Sequence, residues 1–433
     1  MKVAIAGYGI EGKTNYEYWR SAGHDVTIVD ERVIGAHDLP YGADSRTGPG
    51  VLDDLNGYDM VVRTASMNPA KITTDGTIWS ATNEFFDKCP VPIIGVTGTK
   101  GKGTTCSLIT SILRAAGKTV HLVGNIGLPA LKVLPDIEEG DVVVYELSSF
   151  QLWDLKKSPH IAVVVMIEQD HLDVHKDFDD YVSAKANITR SQTTEDICIY
   201  HPDNKNSAYV AEQSAANRVI RYGTPGGGGV YQQEGEFFFN NIAICSTDAL
   251  QIPGEHNIEN ACAAISAAVL FGIDHSVIEK GLRDFEGLPH RIKLVREVRG
   301  TKYYDDSYSS SPGASIAALK SFTDPVIILL GGYDKGGSFE ELAQYVANAP
   351  NVKRCLLYGQ NKNVIKKDFV SYGVADGIYE VIESVNFGEI IRYAGSLAAS
   401  DDVVLLSPGC ASFDMFKNFT ERGERFVNIV NSL

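Results

Sequence analysis

The stretch Val96-Thr97-Gly98-Thr99-Lys100-Gly101-Lys102-Gly103-Thr104-Thr105 follows an apolar run, Ile93-Ile94, and precedes an amphipathic one. Glycines let backbone N–H groups close around phosphate oxygens, and the N-terminus of a following helix adds a favourable dipole. Lys102 would reach the terminal phosphates, with a hydroxyl of Thr104 or Thr105 available to Mg²⁺. The spacing departs from strict GxxxxGK[ST], because Val96 takes the first glycine position and Gly103 follows the lysine. A glycine-rich turn carrying exposed lysines is the competing reading. The strand, loop and helix in sequence favour a nucleotide.

Other segments hold chemistry at the ends of apolar runs. Glu146 closes Val142-Val143-Val144-Tyr145, where an α/β fold presents ligands to its crevice, and a hard cation takes oxygen donors of this kind. Ile161 to Ile167 runs into Glu168-Gln169-Asp170-His171-Leu172-Asp173-Val174-His175, which reads either as a polar catalytic floor or as a solvated loop with an acidic cap. Lys185 follows and, by its type alone, is any surface lysine. Gly7-Tyr8-Gly9-Ile10-Glu11-Gly12 follows the first apolar run, and Asp30 closes the second. This GxGxxG pattern reads as NAD binding, and equally as a UDP diphosphate on the same helix N-terminus. Two late turns, Gly331-Gly332-Tyr333-Asp334-Lys335 and Ser407-Pro408-Gly409-Cys410-Ala411-Ser412-Phe413, suit a carboxylate-bearing substrate or an ordinary connection.

These residues need strand ends to stand on. Strands are expected at 2–6, 26–30, 59–63, 92–97, 141–146, 161–167, 326–330, 354–358 and 402–407, several of them apolar without alternation, as strands buried on both faces of a parallel sheet are. Leu108, Ile109, Ile112, Leu113 and Ala116 form one stripe of a helix over 103–116, with Gly117 as its C-terminal cap. A long helical stretch is expected over 257–285, and Gly226 to Gly229 read as a flexible surface turn. The class is α/β, in several doubly wound sheets.

The chain has 433 residues, which at about 150 per domain gives roughly three. Hydrophobic residues at 44% and a net charge of −16 exclude wholesale disorder and disfavour tracking of a nucleic acid. Seven scattered cysteines without CxxC spacing suit a reducing compartment. With no signal-peptide pattern and no membrane-length apolar run, a cytoplasmic protein is expected.

Together the segments resemble the Mur ligases of peptidoglycan synthesis, over essentially the whole chain. The matching strings are Thr97 to Lys102, Gly124-Asn125-Ile126-Gly127-Leu128-Pro129, Glu146 to Leu152 (ELSSFQL), Asp170 to Asp173, Gly254 to Asn260, Gly287 to Arg291, Asp306-Ser307 and Ser412 to Phe419 (SFDMFKNF). ELSSFQL and the last string mark the glutamate-adding branch. The resemblance implies three domains: a Rossmann-like UDP-binding unit (1–88), a central P-loop ATPase with a mostly parallel sheet (89–287) and a Rossmann-like amino-acid-binding unit (288–433), with hinges near 88 and 287. It implies ATP-dependent addition of glutamate, in the D form, to UDP-N-acetylmuramoyl-L-alanine through an acyl phosphate. Small-molecule substrates, two Mg²⁺ ions, a monomer and no nucleic-acid or membrane partner go with it.

Position by position, the resemblance gives ATP to Gly98, Thr99, Lys100, Gly101, Lys102, Gly103 and Thr104, with Asn257 and Asn260 near adenine and Arg291 and Asp306 on γ-phosphate and ribose. The UDP substrate falls to Gly9, Ile10, Glu11, Gly12, Asp30, Arg32, Asn125, Ser148, Gln151 and His171. Glutamate falls to Ser310, Lys335, Ser412, Phe413 and Phe419. Metal falls to Thr104, Glu146, His171 and Lys185, the last as a carbamate, and Lys102, His171 and Lys185 are the expected catalytic residues. Two departures stand out. The Gly103 after Lys102 is more like folylpolyglutamate synthases, a sister family, and Tyr308 replaces a lysine of the usual DSKATN string, as L-glutamate-adding relatives also depart there.

Overall fold

The computed structural model describes residues 1–433 apart from Lys335. Its first sheet joins β1 (Lys2–Ala6), β2 (Asp25–Asp30), β3 (Asp44–Thr47), β4 (Met60–Arg63) and β5 (Thr77–Ser80) in the order β3-β2-β1-β4-β5, all parallel. The second joins β6 (Ile93–Thr97), β7 (Val120–Gly124), β8 (Val142–Glu146), β9 (Ile161–Val164), β10 (Ile197–Tyr200) and β11 (Arg218–Arg221) in the order β11-β10-β9-β6-β8-β7, also parallel. In both, the chain leaves a central strand in opposite directions. That opens a crevice at the strands' C-terminal ends, next to β1 in one sheet and β6 in the other.

A small antiparallel sheet follows, β12 (Tyr231–Gln233), β13 (Glu236–Phe239) and β14 (Ile242–Ser246). The last sheet joins β15 (Lys293–Val298), β16 (Thr301–Asp305), β17 (Val326–Gly331), β18 (Val352–Tyr358), β19 (Tyr379–Val381) and β20 (Val403–Leu406) in the order β15-β16-β20-β17-β18-β19. Only β15 is antiparallel. The chain thus forms two compact units, Met1–Ala249 with Ile258–Phe285, and Leu250–Asn257 with Glu286–Leu433.

Buried apolar strands hold the sheets together: every residue of β6, β8 and β17 is buried. The helix Lys102–Ala115 lays Leu108, Ile109, Ile112 and Leu113 into the core, and Gly117 takes the left-handed conformation (φ 78°) beyond its end.

Two expectations need correction. The strand expected over 161–167 ends at Val164, because the next carbonyls serve other segments instead of a ladder: Thr99 N–H of the phosphate loop donates to Met166 O at 2.8 Å and Ser207 Oγ to Val165 O at 2.8 Å. The stretch 257–285 is two helices, Glu255–Leu270 and Ile278–Arg283, separated where Gly272 adopts φ 100°. In the Gly226–Gly229 turn, Arg221 N–H donates to Gly227 O and Gly229 N–H to Arg221 O. Position 88 closes a packed helix. Phe85 and Phe86 of the helix Ala81–Lys88 pack on Tyr145 with ring centroids at 5.4 and 5.5 Å, so one core runs through both sides of it. Arg63, at the end of β4 and fully buried, forks onto the Asp154 carboxylate of the central segment.

All seven cysteines are free, and no helix among the described residues is long and apolar enough to cross a membrane.

Candidate functional site

The phosphate loop links β6 to the helix Lys102–Ala115. Gly101 caps that helix at φ 85°, and a Cβ there would lie 2.3 Å from Asn260 Oδ1, so only glycine fits both demands. Thr105 Oγ1 lies 3.4 Å from the same oxygen. Asn260 therefore sits against the loop. Lys102 curls over the loop, its Nζ donating to Gly98 O at 3.1 Å and Thr99 O at 2.8 Å. Lys100 reaches outward to Glu168. Gly103 and Thr104 are both buried in the helix's first turn.

Lys185 lies on the helix Phe178–Arg190, is 1% exposed, and donates to Gly98 O at 2.7 Å. Burial holds its amine well below the usual lysine range, and the neighbouring Lys102 cation pushes it the same way. Its Nζ also sits 4.6 Å from the Tyr181 ring centre. Glu146, at the end of β8, accepts from Asn125 Nδ2 at 3.0 Å through one oxygen. Its other oxygen, Oε2, is buried without a hydrogen-bond partner. An orphaned carboxylate oxygen at a phosphate loop fits a divalent cation.

The expected donor set includes a threonine and a lysine beside Glu146 and His171. Among the described residues no three His, Cys, Asp or Glu are placed to hold a metal. The geometry fits a cation only when phosphate oxygens, or a modified Lys185, complete its shell.

The ELSSFQL segment shapes the neighbouring wall. Ser148 and Gln151 form a capping box on the turn Ser149–Leu152: Ser148 N–H donates to Gln151 Oε1 at 2.9 Å. His171, nearly half exposed and at φ 54°, faces the Phe150 ring at 4.9 Å. These groups share one compact unit with the loop, Glu146 and Lys185.

At the first sheet's crevice, Gly9 precedes the helix Ile10–Ser21, and Gly12 packs so closely that a Cβ would lie 2.0 Å from Gly7 O. Ile10 is 81% exposed, whereas Glu11 accepts from Ala65 N–H at 2.9 Å. Asp30 is buried with both oxygens engaged, by Tyr8 N–H at 2.7 Å and by the Arg32 guanidinium at 2.9 and 3.0 Å. It holds the exposed Arg32 in place and is not a free acceptor for a ribose. That removes one of the two features, with Gly7 to Gly12, on which the NAD reading rested.

In the second unit, Asp306 follows β16 and is 2% exposed. Its carboxyl accepts from Ser309 Oγ at 2.5 Å, Ser407 Oγ at 2.7 Å and Ile292 N–H at 3.2 Å, so it braces the loop instead of presenting itself to a ribose. Burial raises its carboxyl to about 6 against those hydrogen bonds. The unfolded chain therefore ionises first as pH rises from about 4, and the folded state loses stability relative to it until about pH 6. Asp306→Asn removes that titration. Its stability relative to wild type is expected to improve between pH 4 and pH 7 by on the order of 3 kcal/mol, read from urea melts at the two pH values.

Arg291 lies with its guanidinium carbon 4.5 Å from the Tyr308 ring centre, and Tyr308 meets Phe419 edge-on at 5.1 Å. The ring that replaces the expected lysine thus supports a cation instead of adding one. Phe413 is 60% exposed and meets Tyr333 edge-on at 6.1 Å, Ser412 is buried, and Ser310 is exposed. Asn257 belongs to this unit and donates to Pro253 O at 2.6 Å. Lys335 lies outside the described residues.

Sequence reasoning missed three buried ionic groups. Arg422 is 1% exposed and donates to Ser307 Oγ, Ser307 O and Cys410 O at 2.8–3.1 Å. Its position four and eight residues before Phe426 and Val430, on one helical face, was the available signal. The Arg63–Asp154 pair gave none, since it spans separate segments. His175 lay inside the acidic string without a role of its own.

A phosphate loop at the switch point of a parallel sheet, with an acid and a buried lysine converging on it, defines a nucleotide-dependent phosphoryl-handling enzyme. A family model described as Mur ligase middle domain matches residues 96–268, and one described as Mur ligase, glutamate ligase domain matches 290–410. The chain belongs to the Mur ligase family and is an ATP-dependent, amide-forming ligase. It is 39% identical to UDP-N-acetylmuramoylalanine--D-glutamate ligase of Acetivibrio thermocellus, covering 100% of this chain and 96% of that protein. Identity to the protein of the same name from Clostridium tetani is 36%, covering 100% and 97%. Among solved structures, it resembles UDP-N-acetylmuramate-alanine ligase MurC of Thermotoga maritima (18% identity, 100% and 99% covered, TM-score 0.61). MurF ligase of the same organism, in complex with ADP, is similar too (17% identity, 99% and 94% covered, TM-score 0.62). At such identities these two speak for the fold alone.

Proposed function

We propose that this chain joins D-glutamate to UDP-N-acetylmuramoyl-L-alanine, converting ATP to ADP and phosphate, in a protein of three domains bounded near 88 and 287. The observation that carries the reading is the meeting of the phosphate loop, the half-satisfied Glu146 and the buried Lys185 in one compact unit. The full-length similarity to D-glutamate ligases supplies the substrates.

In this reading a carboxylate oxygen of the alanyl residue attacks the γ-phosphorus, ADP leaves, and an acyl phosphate forms. The glutamate amine then attacks the acyl carbon, and phosphate departs from the tetrahedral intermediate. Lys102 and the N-terminus of the helix Lys102–Ala115 offset the charge on the phosphates. The neutral amine favoured at Lys185 can add to CO₂ and lose a proton, giving a carbamate. Glu146, that carbamate, His171 and Thr104 would hold up to two Mg²⁺ ions, which when bound neutralise phosphoryl charge. Gly9 to Gly12 and Arg32 take the UDP moiety, with Asn125, Ser148, Gln151 and His171 on the muramoyl arm. Gly98 to Thr104 take the ATP phosphates, and the family resemblance assigns Asn257 and Asn260 to the adenine and Arg291 to the γ-phosphate. Ser310, Lys335, Ser412, Phe413 and Phe419 take glutamate. Cytoplasmic location and a monomeric state complete the proposal.

Tyr308 favours one competitor, addition of L-glutamate, because the usual lysine is absent. ADP release measured for the muramoyl-alanine nucleotide with D- or L-glutamate, and for a folate with glutamate, separates the readings. Release with D-glutamate alone is expected. Release with the folate and not the muramoyl nucleotide would overturn the proposal.

A further inference from the structure

His175 is 3% exposed, yet both ring nitrogens are paired to different elements. Nδ1 lies 2.8 Å from Asp180 Oδ2 in the first turn of the helix Phe178–Arg190, and Nε2 lies 3.0 Å from Ser149 Oγ in ELSSFQL. A carboxylate can only accept, so Nδ1 carries a proton and donates to it; in the neutral ring Nε2 then accepts from the serine hydroxyl. The ring is wedged by Phe150 (5.5 Å, stacked), Trp153 (4.7 Å) and Tyr181 (5.2 Å, edge-on). Ser148 next door has a separate task, capping its own turn.

The helix that receives this contact is tied twice more to the phosphate loop. Tyr181 Oη and Thr99 Oγ1 lie 2.9 Å apart, and Lys185 Nζ donates to Gly98 O. Ser149 stands three residues after Glu146 and two before Gln151 in sequence. One chain of contacts therefore runs from the ELSSFQL turn through His175 to the helix bearing Lys185, and on to the loop.

We propose that His175 is a positioning residue, which with Ser149 and Asp180 fixes the ELSSFQL turn against the Lys185 helix and so sets the muramoyl side of the site. This rests on the substrate reading above. A core histidine retained for packing alone would need its ring and neither hydrogen bond, and that difference can be measured.

His175→Phe keeps the ring and removes both hydrogen bonds, while His175→Gln offers an acceptor and a donor in a similar space. For the full chain, kcat/KM for UDP-N-acetylmuramoyl-L-alanine is expected to fall about 10- to 100-fold in His175→Phe, with KM for ATP within about twofold of wild type. His175→Gln should recover most of the loss, and adding Ser149→Ala to His175→Phe should cost nothing further. Wild-type kcat/KM in His175→Phe, no recovery in His175→Gln, or additive losses would overturn the role. Should His175→Phe not fold, Ser149→Ala and Asp180→Asn carry the same comparison. ¹⁵N-histidine NMR of the wild-type protein, with the signal assigned by its loss in His175→Gln, reads the relay without any substrate: a single Nδ1–H tautomer is expected, and a mixture would overturn it. Failure of the wild type to use the muramoyl nucleotide while that tautomer is present would instead count against the substrate reading.

Discussion

Lys185→Ala should lower kcat about a thousandfold, and millimolar formate or acetate should return part of it. The buried amine beside Lys102 is poorly disposed to stay a cation, so its value to the reaction lies in what it becomes. A carbamate would give the orphaned Glu146 Oε2 a cation to share, and loss of one such electrostatic group commonly costs 10²–10³ in rate. A short carboxylate diffusing into the space left by the lysine side chain replaces the anion. Lys185→Arg discriminates the alternatives, because guanidinium keeps a positive charge and cannot form the carbamate. It should be as impaired as Lys185→Ala. Full activity in Lys185→Arg would assign the residue a cationic role instead.

The second large effect is on stability. Asp154→Asn should lower the first urea transition by about 3 kcal/mol, because it strands the guanidinium of Arg63 in the core. Arg63 has no exposed side-chain surface, and its remaining partners are the carbonyls of Thr64, Ala65 and Met67 at 3.3–3.4 Å. Asp154 is 16% exposed and can rehydrate when its partner is lost. Arg63→Met should therefore cost less than Asp154→Asn, and the double variant should regain part of the loss. A change in Asp154→Asn within about 0.5 kcal/mol would show that the pair contributes little. The effect should reach the site too, since Trp153 lies 5.9 Å from the Arg63 guanidinium carbon and 4.7 Å from His175.

Much of this was legible in the chain because local physics writes it there. β6, β8 and β17 are unbroken apolar runs, and a strand buried on both faces can read no other way. The phosphate loop and Glu146 stand at strand ends, so their meeting follows from the parallel topology. What escaped was set by tertiary context. Strand β3, Asp-Ser-Arg-Thr, is nearly all exposed and owes its state to pairing with β2, not to its own residues. Val165 to Ile167 is apolar enough for a strand, yet its carbonyls go to Thr99, Ser207, Asn204 and Asn206.

Among the site residues, Asp30 was read as a ligand contact from its place at a strand end and Asp306 from the family resemblance. Both proved to be braces, because a carboxylate buried beside N–H and hydroxyl donors is consumed by them. His175 and Arg422 needed three dimensions, since a buried polar group is recognised by its partners and those come from distant segments. The net charge of −16 described solubility alone. Lys102, Arg32 and Arg291 are the cations proposed to act locally against that field.

The central claim is that the alanyl carboxylate is activated as an acyl phosphate on the phosphate loop of this chain. Turnover of UDP-N-acetylmuramoyl-L-alanine carrying ¹⁸O in both oxygens of that carboxylate, with unlabelled ATP and D-glutamate, tests it most directly by mass analysis of the released phosphate. One ¹⁸O atom in each phosphate and one retained in the new amide is the predicted result; unlabelled phosphate alongside amide formation would contradict it.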